Sequence, residues 1–205
     1  MKNTATKLAF IEEKMSGDLF DKIKSSVLND QSKVLIAKQL ILYLQELHSQ
    51  KIYHRDIKSE NILLDENNNP KLTDFGLSSW INNQEVIGFP LKKMCGSLRN
   101  MSPNLLNFYQ GVYGGDKVKE EEIELELQRA DWWAMGVLVY SLATGKPFIE
   151  SKKNEGKFLE IMSYLKLDKL DTKIEKNVGN IELREIILDL MLNKAQCGEK
   201  KTLKN

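Results

Sequence analysis

The chain has 205 residues, enough for one domain with a sizeable core. Apolar residues make up 41% and charged residues 29%, and the formal net charge of +1 gives no electrostatic case for a nucleic-acid or anionic-membrane partner. Two cysteines, Cys95 and Cys197, imply no disulfide framework and fit a cytoplasmic location; Met1–Ala9 lacks an apolar signal-peptide core, and no apolar run approaches membrane-spanning length.

In chain order, Lys7–Met15 is predicted as a short buried strand running into a polar turn. Ser16–Ile23 follows as a helix start, with Asp18 placed to cap it. Asp30–Ser49 carries Val34, Ile36, Ala37, Leu40, Ile41, Leu44 and Leu47 on one helical face, with Asp30 or Ser32 as cap. His48, at the end of that helix, reads as a packing or surface residue, because no metal-ligand spacing surrounds it. Between Tyr53 and Gly76 the apolar residues alternate as strand–turn–strand around a polar hairpin turn, Asp65–Pro70. Gly111–Gln128 contains the breaker Gly114-Gly115 and an acidic run from Lys119 to Leu127, and reads as an inserted surface loop or short helix. A docking site for a basic partner over residues 116–128 is the sharper reading of the same stretch. Asp131–Thr144 is almost wholly apolar and predicts a helix buried on all sides, ended by Gly145 and sealed by Pro147. Further helices are expected over 154–167 and 181–193, with a charged, frayed tail from Cys197.

The chemistry-bearing residues lie in Tyr53-His54-Arg55-Asp56-Ile57-Lys58-Ser59-Glu60-Asn61-Ile62-Leu63-Leu64 and Lys71-Leu72-Thr73-Asp74-Phe75-Gly76. Singly, an Asp in a polar turn is a turn former, Asn61 a cap and Lys58 a solvated charge. Jointly, and in this order, they resemble the H-R-D-x-x-x-x-N catalytic loop and D-F-G segment of eukaryotic protein kinases. Asp131-Trp132-Trp133-Ala134-Met135-Gly136-Val137 resembles the D-x-W-x-x-G-V helix of the same family, and Cys95–Asn104 its G-T-x-x-Y-x-A-P-E segment.

The resemblance implies ATP and Mg2+ as cofactors and a protein Ser/Thr hydroxyl as substrate. Asp56 would accept the hydroxyl proton and Lys58 would hold the γ-phosphate, which favours Ser/Thr over Tyr specificity, nearest in flavour to the calcium/calmodulin-dependent group. Asn61 and Asp74 would bind metal through oxygen. Glu13 and Met15 match the adenine-pairing hinge, Asp18 a ribose contact, Leu63 the floor beneath adenine, and Glu60 the nucleotide-binding set. The hinge is one residue shorter than usual, so Glu12 competes with Glu13 for its place. His54 and Phe75 match the hydrophobic column, Gly76 closes D-F-G, Ser97 replaces the threonine that bonds the catalytic Asp and Lys, and Asp131 would hold the catalytic-loop backbone. Asn104 stands where the family has a glutamate, and Lys200 is the nearest candidate for that glutamate's arginine.

Arg55 marks kinases commonly switched on by a phosphate in the activation segment, yet no Ser, Thr or Tyr lies between Trp80 and Gly96, and Ser78 and Ser79 sit too close to Asp74. The expectation is activation without that phosphate, with Glu85 or Lys92-Lys93 contacts ordering the segment instead. The fold expected is protein-kinase-like (α+β), a mainly α-helical C-lobe with short β-hairpins and one residual N-lobe strand. About 1–17 would be that strand and the hinge, and 18–205 the C-lobe. With no G-x-G-x-x-G and no strand lysine in the chain, it reads as a partial domain, expected to bind ATP weakly and turn over negligibly by itself. An inactive kinase-like scaffold is the competing reading.

Overall fold

The structure, a computed structural model, describes residues 13–82, 85–88, 90–164 and 167–194. β1 (Gly17–Asp18) leads into α1 (Leu19–Lys24), whose cap is Asp18: its carboxylate accepts the Asp21 N–H at 2.8 Å. α2 (Asp30–Ser49) spans the predicted range, but Asn29 is the cap, accepting the Ser32 N–H at 2.8 Å. An asparagine one residue upstream has the reach that Asp30, already inside the first turn, lacks. Val34, Ile36, Ala37, Leu40, Ile41 and Leu44 are buried as expected, and His48 rather than Leu47 completes the stripe. Burying those five large aliphatic side chains is worth roughly 8–15 kcal/mol before ordering costs, so α2 is held by packing more than by propensity.

β2 (Ile52–Tyr53), β3 (Ile62–Leu64) and β4 (Pro70–Leu72) come next in the chain. β3 and β4 pair antiparallel, Ile62 opposite Leu72, with β1 on the other edge of β3. Their turn closes on Asp65, whose Oδ1 accepts the N–H groups of Asn67 and Asn69, each at 2.8 Å. A second antiparallel sheet has order β2, β5 (Ser79–Asn82), β6 (Glu85–Gly88). That β5–β6 hairpin was not anticipated from the sequence.

α3 (Pro103–Gly114) is capped by Ser102, whose Oγ accepts the Leu105 N–H at 3.0 Å, and has Pro103 in its first turn. α4 (Glu120–Thr144) is the centre of the molecule, packing against α2, α3 and α7 (Ile181–Leu188). Residues 130–140 are all buried. Gly145 ends the helix at φ 71°, left-handed backbone that costs glycine little.

The acidic stretch is therefore not an inserted loop. It forms the first turns of α4, because Ile123 and Leu127 share a face and are buried in a small cluster with Tyr53 and Leu91. Glu124 accepts the Tyr53 hydroxyl at 2.7 Å and pairs with Lys51, and Glu126 pairs with Arg129 at 2.6 Å. α5 (Asn154–Ser163) is shorter than expected, and α6 (Leu167–Asn177) was not expected at all. α7 continues into a π-turn over Asp189–Lys194, covering the predicted 181–193. Of the strand expected over Lys7–Met15, residues 7–12 lie outside the described residues and Glu13–Met15 join no strand; Lys200 also lies outside them. Among the described residues no helix is long and apolar enough to cross a membrane.

Candidate active site

α2 and β2 deliver the chain to residues 54–61, and α4 holds that turn from beneath. The Asp131 carboxylate, 1% exposed, accepts the His54 N–H through Oδ2 and the Arg55 N–H through Oδ1, both at 2.8 Å. His48 Nε2 lies 3.1 Å from the same Oδ2. The aspartate thereby satisfies two consecutive backbone donors where Arg55 takes a left-handed φ of 68°. His48 was missed as a member of this site; its signal was its place four residues after Leu44 on the buried stripe.

The turn so held presents Asp56, whose carboxylate is 7% exposed. Lys58 Nζ donates to its Oδ2 at 2.6 Å; Ser97 donates to Oδ1 from its backbone N–H at 3.0 Å and its hydroxyl at 2.9 Å. Burial pushes the Asp56 carboxyl up, but the hydrogen bonds from Lys58 and Ser97 outweigh it and hold the group below the ordinary aspartate value. The bond to Asp56, opposed by desolvation, holds Lys58 above the ordinary lysine value. Asp56 is thus an ionised acceptor and Lys58 a cation.

Asn61 donates through Nδ2 to the Asp56 carbonyl at 2.9 Å, which leaves its amide oxygen pointing the other way. Its backbone carbonyl accepts the Thr73 N–H at 2.9 Å, which ties it to the strand leading into Asp74. Asp74 is exposed, in left-handed backbone at φ 62°, with Oδ1 accepting the Gly76 N–H at 3.3 Å. Asp74 is also close enough to contribute to the charge environment of Lys58. His54, 0% exposed, bonds the Thr73 carbonyl at 3.0 Å and stacks edge-on against Phe75 at 4.9 Å. Asp56, Lys58, Asn61, Asp74, His54, Phe75, Gly76, Ser97 and Asp131 are therefore parts of one assembly. Among the described residues no three His, Cys, Asp or Glu side chains converge as a metal cage. An amide oxygen plus an exposed carboxylate is instead the donor set that suits Mg2+ shared with phosphate oxygens and water.

Of the other expected residues, Met15 is half-buried, and the Glu13 side chain pairs with Lys71. Asp18 is committed to its cap, Leu63 is half-buried in β3, and Glu60 is exposed beside Ser59.

Residues 90–96 are tied down by Arg55. Its guanidinium donates to the Pro90 carbonyl at 3.1 Å, the Ser79 hydroxyl at 2.8 Å and the Lys93 carbonyl. Tyr109 donates its hydroxyl to the Leu91 carbonyl at 2.8 Å, and burial pushes that phenol up to about 12. The lysine contribution expected here is thus the backbone oxygen of Lys93, not an ammonium; the Glu85 side chain is outside the described set. Gly96, at φ 91°, passes so close to Arg55 that a Cβ would sit 2.3 Å from its carbonyl oxygen. Asn100, also missed, donates to the Ile57 carbonyl at 2.7 Å, locking the segment's end to the turn that carries Asp56. Asn104 is half-buried.

Comparison with known proteins agrees with this geometry. The protein kinase domain family model matches residues 1–197. The chain is 38% identical over 155 residues to developmentally-regulated protein kinase 1 of Dictyostelium discoideum, covering 74% of this chain and 19% of that protein. It is 44% identical over 112 residues to a human ribosomal protein S6 kinase-related protein (55% and 23%). It is 34% identical over 172 residues to CBL-interacting serine/threonine-protein kinase 10 of Arabidopsis thaliana (83% and 31%). The chain thus spans between a fifth and a third of these relatives' lengths. With the family model matched across nearly its whole length, the chain belongs to the protein kinase domain family.

Proposed function

We propose that this chain carries the substrate- and metal-facing half of an ATP-dependent Ser/Thr protein kinase, cytoplasmic in location, with about 1–17 as the last N-lobe strand and hinge and 18–205 as C-lobe. The observation that carries the reading is the Asp56 carboxylate, buried yet held ionised by Lys58 and Ser97, on a turn that also presents Asn61. Asp56 takes the proton of the attacking hydroxyl. Lys58, bonded to Asp56, stays charged and steadies the transferred group. Asn61 and Asp74 supply oxygen ligands, and Met15 and Leu63 flank the adenine site. A divalent cation, Mg2+ in this reading, would be held by Asn61 and Asp74 and would supply charge neutralisation to the phosphates. Lys58 and the relative named as a serine/threonine-protein kinase support hydroxyls of Ser and Thr as acceptors. In the acidic stretch, Glu124 and Glu126 are used internally, which leaves Glu120, Glu121 and Glu122 exposed for a basic partner. The test is phosphoryl transfer by the full-length protein to Ser and Tyr peptides. Transfer to Ser is expected, with kcat lowered about 10²–10⁴-fold in Asp56→Asn; an unchanged kcat in that variant would refute the role.

A further inference from the structure

Next to Lys58 opens a cavity of about 640 Å³, bounded by α1, the 97–100 turn, the end of α4 and the start of α5. Its charged lining is Lys24, Lys58, Glu60, Arg99, Lys146 and Lys157. Lys58 is neutralised by Asp56. Arg99 is oriented by neutral acceptors, the Ile149 carbonyl at 2.9 Å and the Ser151 carbonyl at 3.3 Å. The Lys157 ammonium bonds the neutral Asn154 side chain at 3.2 Å, and Lys24 lies over the Phe20 ring at 4.2 Å. Among the described residues none of Lys24, Arg99, Lys146 and Lys157 forms an ion pair. Four uncompensated cations thus face one carboxylate, Glu60, in a concave site whose field adds up.

From this we infer that the cavity selects acidic peptides: the segment flanking the accepting Ser or Thr carries Asp, Glu or phosphorylated side chains, which the four cations receive. The inference deepens the kinase reading and rests on it for the identity of the occupant. A peptide rich in Lys and Arg would face repulsion from four positive groups and find only Glu60, so the same site discriminates against basic sequences. Arg99, pinned by two carbonyls, fixes the register of a carboxylate near the reacting hydroxyl, while the exposed Lys146 and the half-buried Lys157 read residues further along.

The experiment measures binding of three fluorescein-labelled Ser peptides to the full-length protein by anisotropy at low ionic strength. One peptide is flanked by Asp and Glu, one by Lys and Arg, and one by Ala and Gly. The acidic peptide is expected to bind at least about tenfold tighter than either other, with the margin shrinking as salt rises. K146E/K157E is expected to erase the preference about tenfold, and K146R/K157R to keep it. Equal affinities, a preference for the basic peptide, no binding of any peptide, or an unchanged preference in K146E/K157E would each overturn the inference. A fluorescent ATP analogue titrated in parallel separates the two readings: lost nucleotide binding with the acidic preference intact would count against the kinase reading alone.

Discussion

Replacing Asp131 by alanine removes the acceptor for two successive buried N–H groups, those of His54 and Arg55, each at 2.8 Å from its carboxylate. Hydrogen bonds to a charged acceptor are worth about 1.5–3 kcal/mol each, and a buried donor left unpaired bears its full desolvation cost. The two together give a loss of about 3–6 kcal/mol, against a total domain stability of about 5–15 kcal/mol. His48 loses its partner on Nε2 as well, beside an Nδ1 that has none among the described residues. Asp131→Asn keeps one acceptor oxygen and sets an NH2 group against the other donor, so its cost falls near half that of alanine. Urea unfolding followed by intrinsic fluorescence reads both. A shift in midpoint corresponding to under about 1 kcal/mol for Asp131→Ala would refute the claim that this carboxylate holds the turn at His54–Asp56.

Ser97→Ala deletes the hydroxyl bond to Asp56 but leaves the backbone one, so kcat is expected to fall about tenfold, with Ser97→Thr near wild type in the same peptide assay. Because Asp56 is held below its ordinary value of 3.8, its ionised form contributes stability that is present above the unfolded value and lost as pH falls through the folded one. The stability gap between wild type and Asp56→Asn, measured by urea at about pH 5 and about pH 3, should therefore narrow at the lower pH; a widening gap would invert the sign. Since Arg55 already donates to Pro90, Lys93 and Ser79, phosphatase treatment should leave kcat unchanged, and Arg55→Met should raise hydrogen exchange across 90–96. Inactivation by phosphatase, with the phosphate mapped to Ser78 or Ser79, would contradict that.

The assembly around Asp56 was readable in the sequence because its parts are local. Asp56, Lys58 and Asn61 share one turn, and Asp74 lies across a single hairpin from them. The long α2 and the apolar part of α4 were legible from their stripes. What was not legible depends on distant partners. Glu-rich turns look solvated until Ile123 and Leu127 find Tyr53 and Leu91. α6 buries Leu170 and Ile174 from an otherwise charged run, too sparse a stripe to show. Arg55 announced a phosphate by its place beside Asp56, and only the folded chain shows backbone carbonyls from 35 and 38 residues away in that position.

The claim on which the account stands is that Asn61 and Asp74 offer oxygen to one nucleotide-bound cation. Mn2+ in place of Mg2+ allows a direct reading: electron paramagnetic resonance of Mn2+ titrated into the full-length protein with ATP. Nucleotide-dependent Mn2+ binding is expected in wild type, weakened about tenfold or more in Asn61→Ala and in Asp74→Asn. Equal Mn2+ affinity in all three proteins would contradict it.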